Sequence, residues 1–187
     1  ILYKQKTFKS TMKFSFIWGF IYHIVVVFWL AFNIGTTALI AAISMLVTVL
    51  ILSSNTMLIA GMWYGIRKKY SKYNLYIFAA IWVSVEYIRS YGLLGFPWVS
   101  LANSQTDYIY LIQNVQFTGI YGITFWIVLF NIFLFNIKSS MINKKIFLAF
   151  CSIIILPWII GYRLYHNVEL DNKQDGANIL IVQPNID

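Results

Sequence analysis

The chain has 187 residues, of which 60% are hydrophobic and 11% are charged, and its formal net charge at pH 7 is +8. Its single cysteine, Cys151, excludes a disulfide bond within the chain and a zinc site built from cysteines. The sequence contains no metal-ligand cluster and no glycine-rich phosphate loop, so we expect neither a metal ion nor a cofactor.

Five long apolar stretches occupy most of the sequence, at residues 14–32, 37–63, 75–93, 120–137 and 146–162. A helix needs about 20 apolar residues, or about 17–25 with tilt, to cross the hydrocarbon layer of a bilayer. All five stretches reach this length. The sequence therefore predicts an all-α polytopic membrane protein with about five transmembrane helices in a transmembrane domain of residues 1–162.

The charged residues are divided between the two sides of these stretches. Eleven of the fourteen Lys and Arg residues fall before the first stretch, between the second and third, or between the fourth and fifth, whereas all six acidic residues fall on the opposite side. Short loops rich in Lys and Arg mark the cytoplasm, so we expect a cytoplasmic N-terminus and a periplasmic C-terminus. The positive charge then reflects topology and attraction to anionic lipid heads, and it excludes a nucleic-acid partner.

The second stretch carries four consecutive polar residues, Ser53, Ser54, Asn55 and Thr56, near its middle. Such residues in a membrane helix usually hydrogen-bond to a neighbouring helix or to carbonyl groups one turn earlier. We favour this packing role over contact with a substrate.

The third stretch ends with three residues that share one helix face, Trp82, Glu86 and Arg89, because they are spaced four and three apart. An ionisable group at the membrane boundary needs a partner, and Arg89 is the nearest cation to Glu86. Two interpretations remain open. The pair fixes the end of the helix, or one of the two residues binds a phospholipid head group or another polar part of a substrate.

The next segment contains Gly95, Phe96, Pro97 and Trp98. Gly95 gives the backbone freedom and Pro97 stops a helix, so both aromatic rings are expected on a rigid turn at the outer interface. The turn is equally consistent with an aromatic belt and with a substrate-facing loop. The polar segment that follows, residues 99–119, includes Gln105 and is long enough to suggest a functional role, with an interfacial helix near residues 108–117.

The end of the sequence has a different character. Residues 163–177 are polar and are expected to form a periplasmic linker, and the apolar, mostly β-branched run at 179–182 predicts a buried strand. A lone strand is not stable. We therefore expect either that residues 178–187 begin a further domain whose remainder is missing from this chain, or that the strand pairs with another chain.

Taken in order, these motifs resemble the membrane half of bacterial apolipoprotein N-acyltransferase, and residues 181–186 resemble the first strand of that family's nitrilase-like domain, an α/β carbon–nitrogen hydrolase fold. The residues that carry the resemblance are Trp82, Glu86, Arg89, Gly95, Phe96, Pro97, Trp98, Ser104, Gln105, Gly119, Gly122, Phe125 and Asn131, with Trp29 at the end of the first stretch.

The resemblance implies a multi-pass protein of the bacterial inner membrane that transfers an acyl chain from a phospholipid to the N-terminal diacylglyceryl-cysteine of a lipoprotein through a cysteine thioester. The family's catalytic Glu, Lys and Cys all lie beyond residue 187, so this chain contains no catalytic residue and is expected to be inactive alone. Its expected partners are the phospholipid donor, the apolipoprotein acceptor and membrane lipid. The expected substrate-binding residues are Glu86, Arg89, Phe96, Pro97, Trp98 and Gln105.

Two other functions remain open from the sequence. The first is a membrane-tethered enzyme of the nitrilase superfamily with a different acceptor, which the missing domain would decide. The second is a non-catalytic scaffold or transporter subunit, which needs charged or broken helices around a site at mid-membrane. Only the polar run of residues 53–56 hints at such a site.

Overall fold

The computed structural model describes residues 2–70, 73–92, 95–137 and 144–167, and this part of the chain is helical, without a β-strand. The predicted strand at 179–182 and most of the predicted linker lie outside the described residues. In these ranges six α-helices follow one another: α1 (Phe8–Val27), α2 (Ala38–Arg67), α3 (Asn74–Arg89), α4 (Ile109–Ile112), α5 (Val115–Ile137) and α6 (Lys144–His166). Short 3-10 segments lie at Leu2–Lys4, Phe28–Phe32, Pro97–Val99 and Leu101–Gln105.

Among the described residues, three helical segments are long and apolar enough to cross a membrane: Phe8–Phe32, Ala38–Arg67 and Val115–Asn136. Helix α3 has 16 residues, and within the 23-residue helix α6 the apolar part that the structure describes is Phe150–His166. These findings identify a helical membrane protein. The count of five spans and the orientation of the termini stay predictions.

The ends of the helices differ from the ends of the apolar stretches, and side-chain caps fix two of the helix starts. Helix α1 begins at Phe8 because the Thr7 side chain accepts a hydrogen bond from the backbone N–H of Ser10 and caps the first turn. Thr37 caps α2 in the same way, through the N–H of Ile40. Helix α6 continues through His166, four residues past the predicted end of the fifth stretch.

Helices α1 and α2 form a tightly packed antiparallel pair. Thr56 lies against Gly19, where any side chain on residue 19 would overlap the threonine hydroxyl. That hydroxyl is 3.0 Å from the carbonyl oxygen of Ser15 on α1 and 2.7 Å from that of Ser53. Ser53 in turn donates to the carbonyl oxygen of Val49 at 2.6 Å. Ser54 likewise donates to the carbonyl oxygen of Ile51 at 2.6 Å, so three residues of the polar run make the hydrogen bonds that the sequence predicts.

Helix α3 lies between α2 and α5. Ile81 and Val85 of α3 pack with Ile59 and Trp63 of α2, and on the other side Ala79 packs with Val128 and Ile132 of α5. This position makes the C-terminal end of α3 the meeting point of three helices and of the segment that follows it.

Helix α5 begins with a turn that is separated from the main helix by Gly119. This residue has φ 64° and ψ 178°, a conformation that favours glycine because other residues meet steric strain there. The predicted fourth stretch, which starts at residue 120, thus matches the part of α5 after the kink. Residues 115–118 belong with the preceding α4 turn, in place of the single interfacial helix expected near residues 108–117.

Helix α6 packs against α4 and the kinked start of α5. At Gly161 a side chain would overlap the carbonyl oxygen of Tyr110, so α4 and α6 touch through their backbones. The Asn114 side-chain amide donates to the carbonyl oxygen of Pro157 at 2.8 Å and fixes the two helices to each other.

Candidate functional site

The carboxylate of Glu86 lies in the last turn of α3 and is only 4% exposed. Four donors surround it. Its Oε1 accepts from Trp82 Nε1 and from the backbone N–H of Leu101, each at 3.1 Å. Its Oε2 accepts from the hydroxyls of Ser100 and Thr124, each at 2.8 Å. Both oxygens therefore have the full set of partners that a buried carboxylate requires.

These partners come from three parts of the chain. Trp82 belongs to α3 itself, Ser100 and Leu101 follow the Pro97–Val99 turn, and Thr124 is fully buried on α5. Glu86 thus connects the end of α3 to the loop and to α5. Because its oxygens are already occupied and it is shielded from solvent, it is not open to direct contact with a ligand in this arrangement.

Arg89 forms the ion pair with Glu86 that its spacing predicts, but at the distance limit, with 4.0 Å between the guanidinium nitrogen and Oε1. The hydrogen bonds from Trp82, Leu101, Ser100 and Thr124 are the closer partners of the carboxylate. The Arg89 side chain is 12% exposed, and its buried Nε has no hydrogen-bond partner among the described residues.

Arg89 lines a cavity of about 490 Å³ between α2, α3 and the turn at Gly95 and Phe96. Its walls are mostly apolar, and the polar groups that reach it besides Arg89 include Asn55 and Thr48 of α2. The apolar lining residues are Ile51, Leu52, Leu58, Val85, Ile88 and Phe96. An apolar volume of this size with one cation at its edge suits a ligand that has an apolar chain and an anionic end.

The turn after α3 is tied to the helix that precedes it. The backbone N–H of Gly95 donates to the carbonyl oxygen of Gly92 at 3.0 Å, and that of Phe96 donates to the carbonyl oxygen of Arg89 at 3.2 Å. Phe96 is half-buried against the core cluster that contains Val27 and Leu52. The turn therefore places the Phe96 ring in the wall of the cavity.

Trp98 behaves differently from Phe96, because 69% of its surface is exposed. Pro97 begins the short 3-10 turn that carries it, and the Asn103 side-chain amide donates to the carbonyl oxygens of Pro97 and Trp98 at 3.2 and 2.9 Å. The indole is thus presented on a backbone that is fixed from both sides.

The structure brings together part of the predicted set. Arg89 and Phe96 line the same cavity, whereas Glu86 lies in the polar cluster behind it and Trp98 points away from the core. Gln105 is half-buried and donates to the Ser104 hydroxyl at 2.9 Å without lining the cavity.

Sequence reasoning missed Ser100, Thr124 and Asn103 as partners of the site. Thr124 lies between Gly122 and Phe125, two residues that carry the family resemblance, and this position is the sequence feature that could have indicated it. No group of His, Cys, Asp and Glu in the described ranges could hold a metal ion.

Comparisons with a family model and with curated proteins give the same family. The family described as the apolipoprotein N-acyltransferase N-terminal domain matches residues 1–133. Curated proteins named apolipoprotein N-acyltransferase are similar to the chain. The one from Chlorobaculum tepidum is 28% identical over 111 residues, which cover 57% of this chain and 21% of that protein. The one from Rickettsia prowazekii is 27% identical over 191 residues, which cover 100% of this chain and 38% of that protein.

A third relative with the same name, from Geobacter metallireducens, is 40% identical over 68 residues, or 36% of this chain and 13% of that protein. The chain therefore spans well under half the length of these relatives. No solved structure matches the chain.

Proposed function

Because the chain belongs to the apolipoprotein N-acyltransferase family, as the match of the N-terminal domain over residues 1–133 shows, we propose that it is the membrane part of such an enzyme. The enzyme transfers an acyl chain from a phospholipid to the N-terminal diacylglyceryl-cysteine of a lipoprotein. It lies in the bacterial inner membrane, and the C-terminal end of α3 faces the periplasm.

The chemistry belongs to a nitrilase-like domain that we place after residue 187. There a cysteine thiolate attacks the phospholipid ester, forms a thioester and releases a lysophospholipid. The amine of the lipoprotein then attacks the thioester, forms the amide and restores the thiol. That domain supplies the nucleophile for these steps, so we expect the chain described above to be inactive alone.

The observation that carries the proposal, besides the family, is the apolar cavity with Arg89 at its edge. Both substrates are lipids, so the enzyme needs a surface for acyl chains that is reached from within the bilayer. Phe96 and the apolar residues of α2 and α3 supply that surface. The Arg89 guanidinium meets the phosphate, since its fork of donors matches phosphate oxygens and its Nε has no partner among the residues that the structure describes.

Trp98, Pro97 and Gln105 lie outside the cavity and face the acceptor side of the proposed site. An exposed indole at the membrane interface has an apolar body and a polar N–H, and both fit the boundary between lipid chains and a peptide. Pro97 fixes the backbone that presents it.

The direct test uses the complete protein, meaning this chain with the domain that follows it, in detergent with a phospholipid and a synthetic diacylglyceryl lipopeptide. Mass spectrometry should detect a lipopeptide heavier by one acyl group, together with a lysophospholipid. A complete, folded protein that leaves the lipopeptide unchanged contradicts the proposal.

A further inference from the structure

We propose that Glu86 is a positioning residue, which holds the turn carrying Phe96 and Trp98 against α3 and α5 and does so without touching substrate. This inference rests on the proposed function for its activity readout, and on the hydrogen bonds around Glu86 for its structural content. It gives Glu86 a different task from the substrate contact expected from the sequence.

The turn is attached to α3 at both of its ends. At its start, the N–H of Phe96 donates to the carbonyl oxygen of Arg89. At its end, Ser100 and Leu101 donate to the carboxylate of Glu86. Residues 96–101 are therefore attached at both ends to the last turn of one helix, three residues apart. The exposed Trp98 lies between the two attachments.

Removal of the Glu86 carboxylate leaves a donor of the turn without a partner. Ser100 is buried, Thr124 is fully buried, and both of their hydroxyls point at Glu86 Oε2. The two hydroxyls are 3.2 Å from each other, so either can become the other's partner, but neither can replace the bond to the Leu101 N–H. A half-buried N–H that loses its acceptor is still costly, and the loop relieves that cost by moving away from α3.

Two substitutions of Glu86 separate the position of the turn from the charge of the carboxylate. A glutamine at residue 86 can accept from Trp82 and Leu101 with its carbonyl oxygen, while its amide donates to the hydroxyls of Ser100 and Thr124, which can also accept. Glu86→Gln therefore keeps the turn in place and removes the negative charge. Glu86→Ala removes the negative charge and also the hydrogen bonds that hold the turn in place.

The experiment places a spin label at residue 106, an exposed position just after the Leu101–Gln105 segment, in the complete protein. The background is Thr106→Cys with Cys151→Ala, so that the label has one site in this chain; any cysteine of the following domain is protected or replaced in the same background. The variants are Glu86→Gln and Glu86→Ala. Thr56→Val is the matched control, since it removes a buried hydrogen bond between α1 and α2, away from the turn.

We expect the label to be immobile in the parent, in Glu86→Gln and in Thr56→Val, and mobile in Glu86→Ala. In the parallel acyl-transfer assay, without the label, kcat/KM should fall about 100-fold in Glu86→Ala, the scale of a misplaced binding group, and less than about threefold in Glu86→Gln. If Glu86→Ala does not fold, Ser100→Ala replaces it and should give partial mobility and about a tenfold loss.

Three results overturn the inference. The label stays immobile in Glu86→Ala or, in its place, in Ser100→Ala. Glu86→Gln has a kcat/KM as low as that of Glu86→Ala while its label is immobile, which means that the carboxylate contacts the substrate. Glu86→Ala and Thr56→Val lose the same thermal stability and the same activity, so that the activity loss follows from stability alone. An inactive parent protein contradicts the proposed function, and the label alone then decides the inference.

Discussion

The indole N–H of Trp126 donates to the carbonyl oxygen of Ile153 at 2.7 Å, and this is the carbonyl that Pro157 leaves without a helical partner. Proline has no backbone N–H, so residue 153 of α6 loses its hydrogen bond one turn later. In a bilayer no water replaces it. Trp126 of α5 therefore supplies the donor that the carbonyl oxygen of Ile153 lacks within α6, and this hydrogen bond joins the two helices one turn before Pro157.

Replacing Trp126 with Phe should destabilise the protein by about 1–3 kcal/mol, because the carbonyl of Ile153 is left without a donor while most of the ring volume is kept. Thermal unfolding in detergent measures the loss. Trp18→Phe is the control, since Trp18 is a half-exposed indole that stacks on Tyr22. Equal melting temperatures for the two variants contradict the role given to Trp126.

Gly161→Ala should be strongly destabilising, because the added methyl group overlaps the carbonyl oxygen of Tyr110 and forces α4 away from α6. Overpacking of this kind costs about 1–3 kcal/mol or more where backbone must move. Gly65→Ala is the matched control. It lies in α2 with open space around it, so it should stabilise the helix by up to about 1 kcal/mol. Circular dichroism melts that shift in the same direction for both variants contradict the close contact.

The helices could be predicted from the sequence because a membrane helix needs only a long apolar run, and that property is local. Their ends could not. Helix α1 begins at Phe8 and includes Lys9 and Lys13, because the cap at Thr7 and not the hydropathy fixes its start. The main part of α5 starts after Gly119, where the apolar stretch predicts it, but the turn at residues 115–118 before that break has no signal in the hydropathy.

The site shows the same limit. The spacing of Trp82 and Glu86 predicts that they share a face, and the structure adds the hydrogen bond between them. Ser100 and Thr124, however, are 14 and 38 residues from Glu86 along the chain. No local pattern indicates which hydroxyl meets a carboxylate at that separation, and a serine or threonine in an apolar helix most often bonds its own backbone.

Arg89→Gln should raise the KM for phospholipid about 10- to 100-fold, with a smaller change in kcat, because a hydrogen bond to a charged group contributes about 1.5–3 kcal/mol. Arg89→Lys keeps the charge but loses the fork of donors, so it should lie between the parent and Arg89→Gln. Arg163→Gln is the control. Arg163 is exposed near the end of α6 and does not line the cavity. Steady-state kinetics in which Arg163→Gln has the larger effect assign the phosphate to Arg163 instead.

Trp98→Ala should slow acyl transfer about tenfold, a loss of ~1.4 kcal/mol, and leave the melting temperature unchanged, because the indole is largely exposed and packs little against the core.

An aromatic belt predicts a different result for Trp98→Ala. Trp29 is also exposed, in the 3-10 segment that follows α1, so Trp29→Ala removes an interfacial indole of the same kind at another place. If Trp98 only anchors the protein at the interface, the two variants should have equal activity in mixed micelles. If it contacts the acceptor, only Trp98→Ala should be slow, and a higher lipopeptide concentration should restore part of the rate. This comparison separates the two interpretations of the turn that the sequence leaves open.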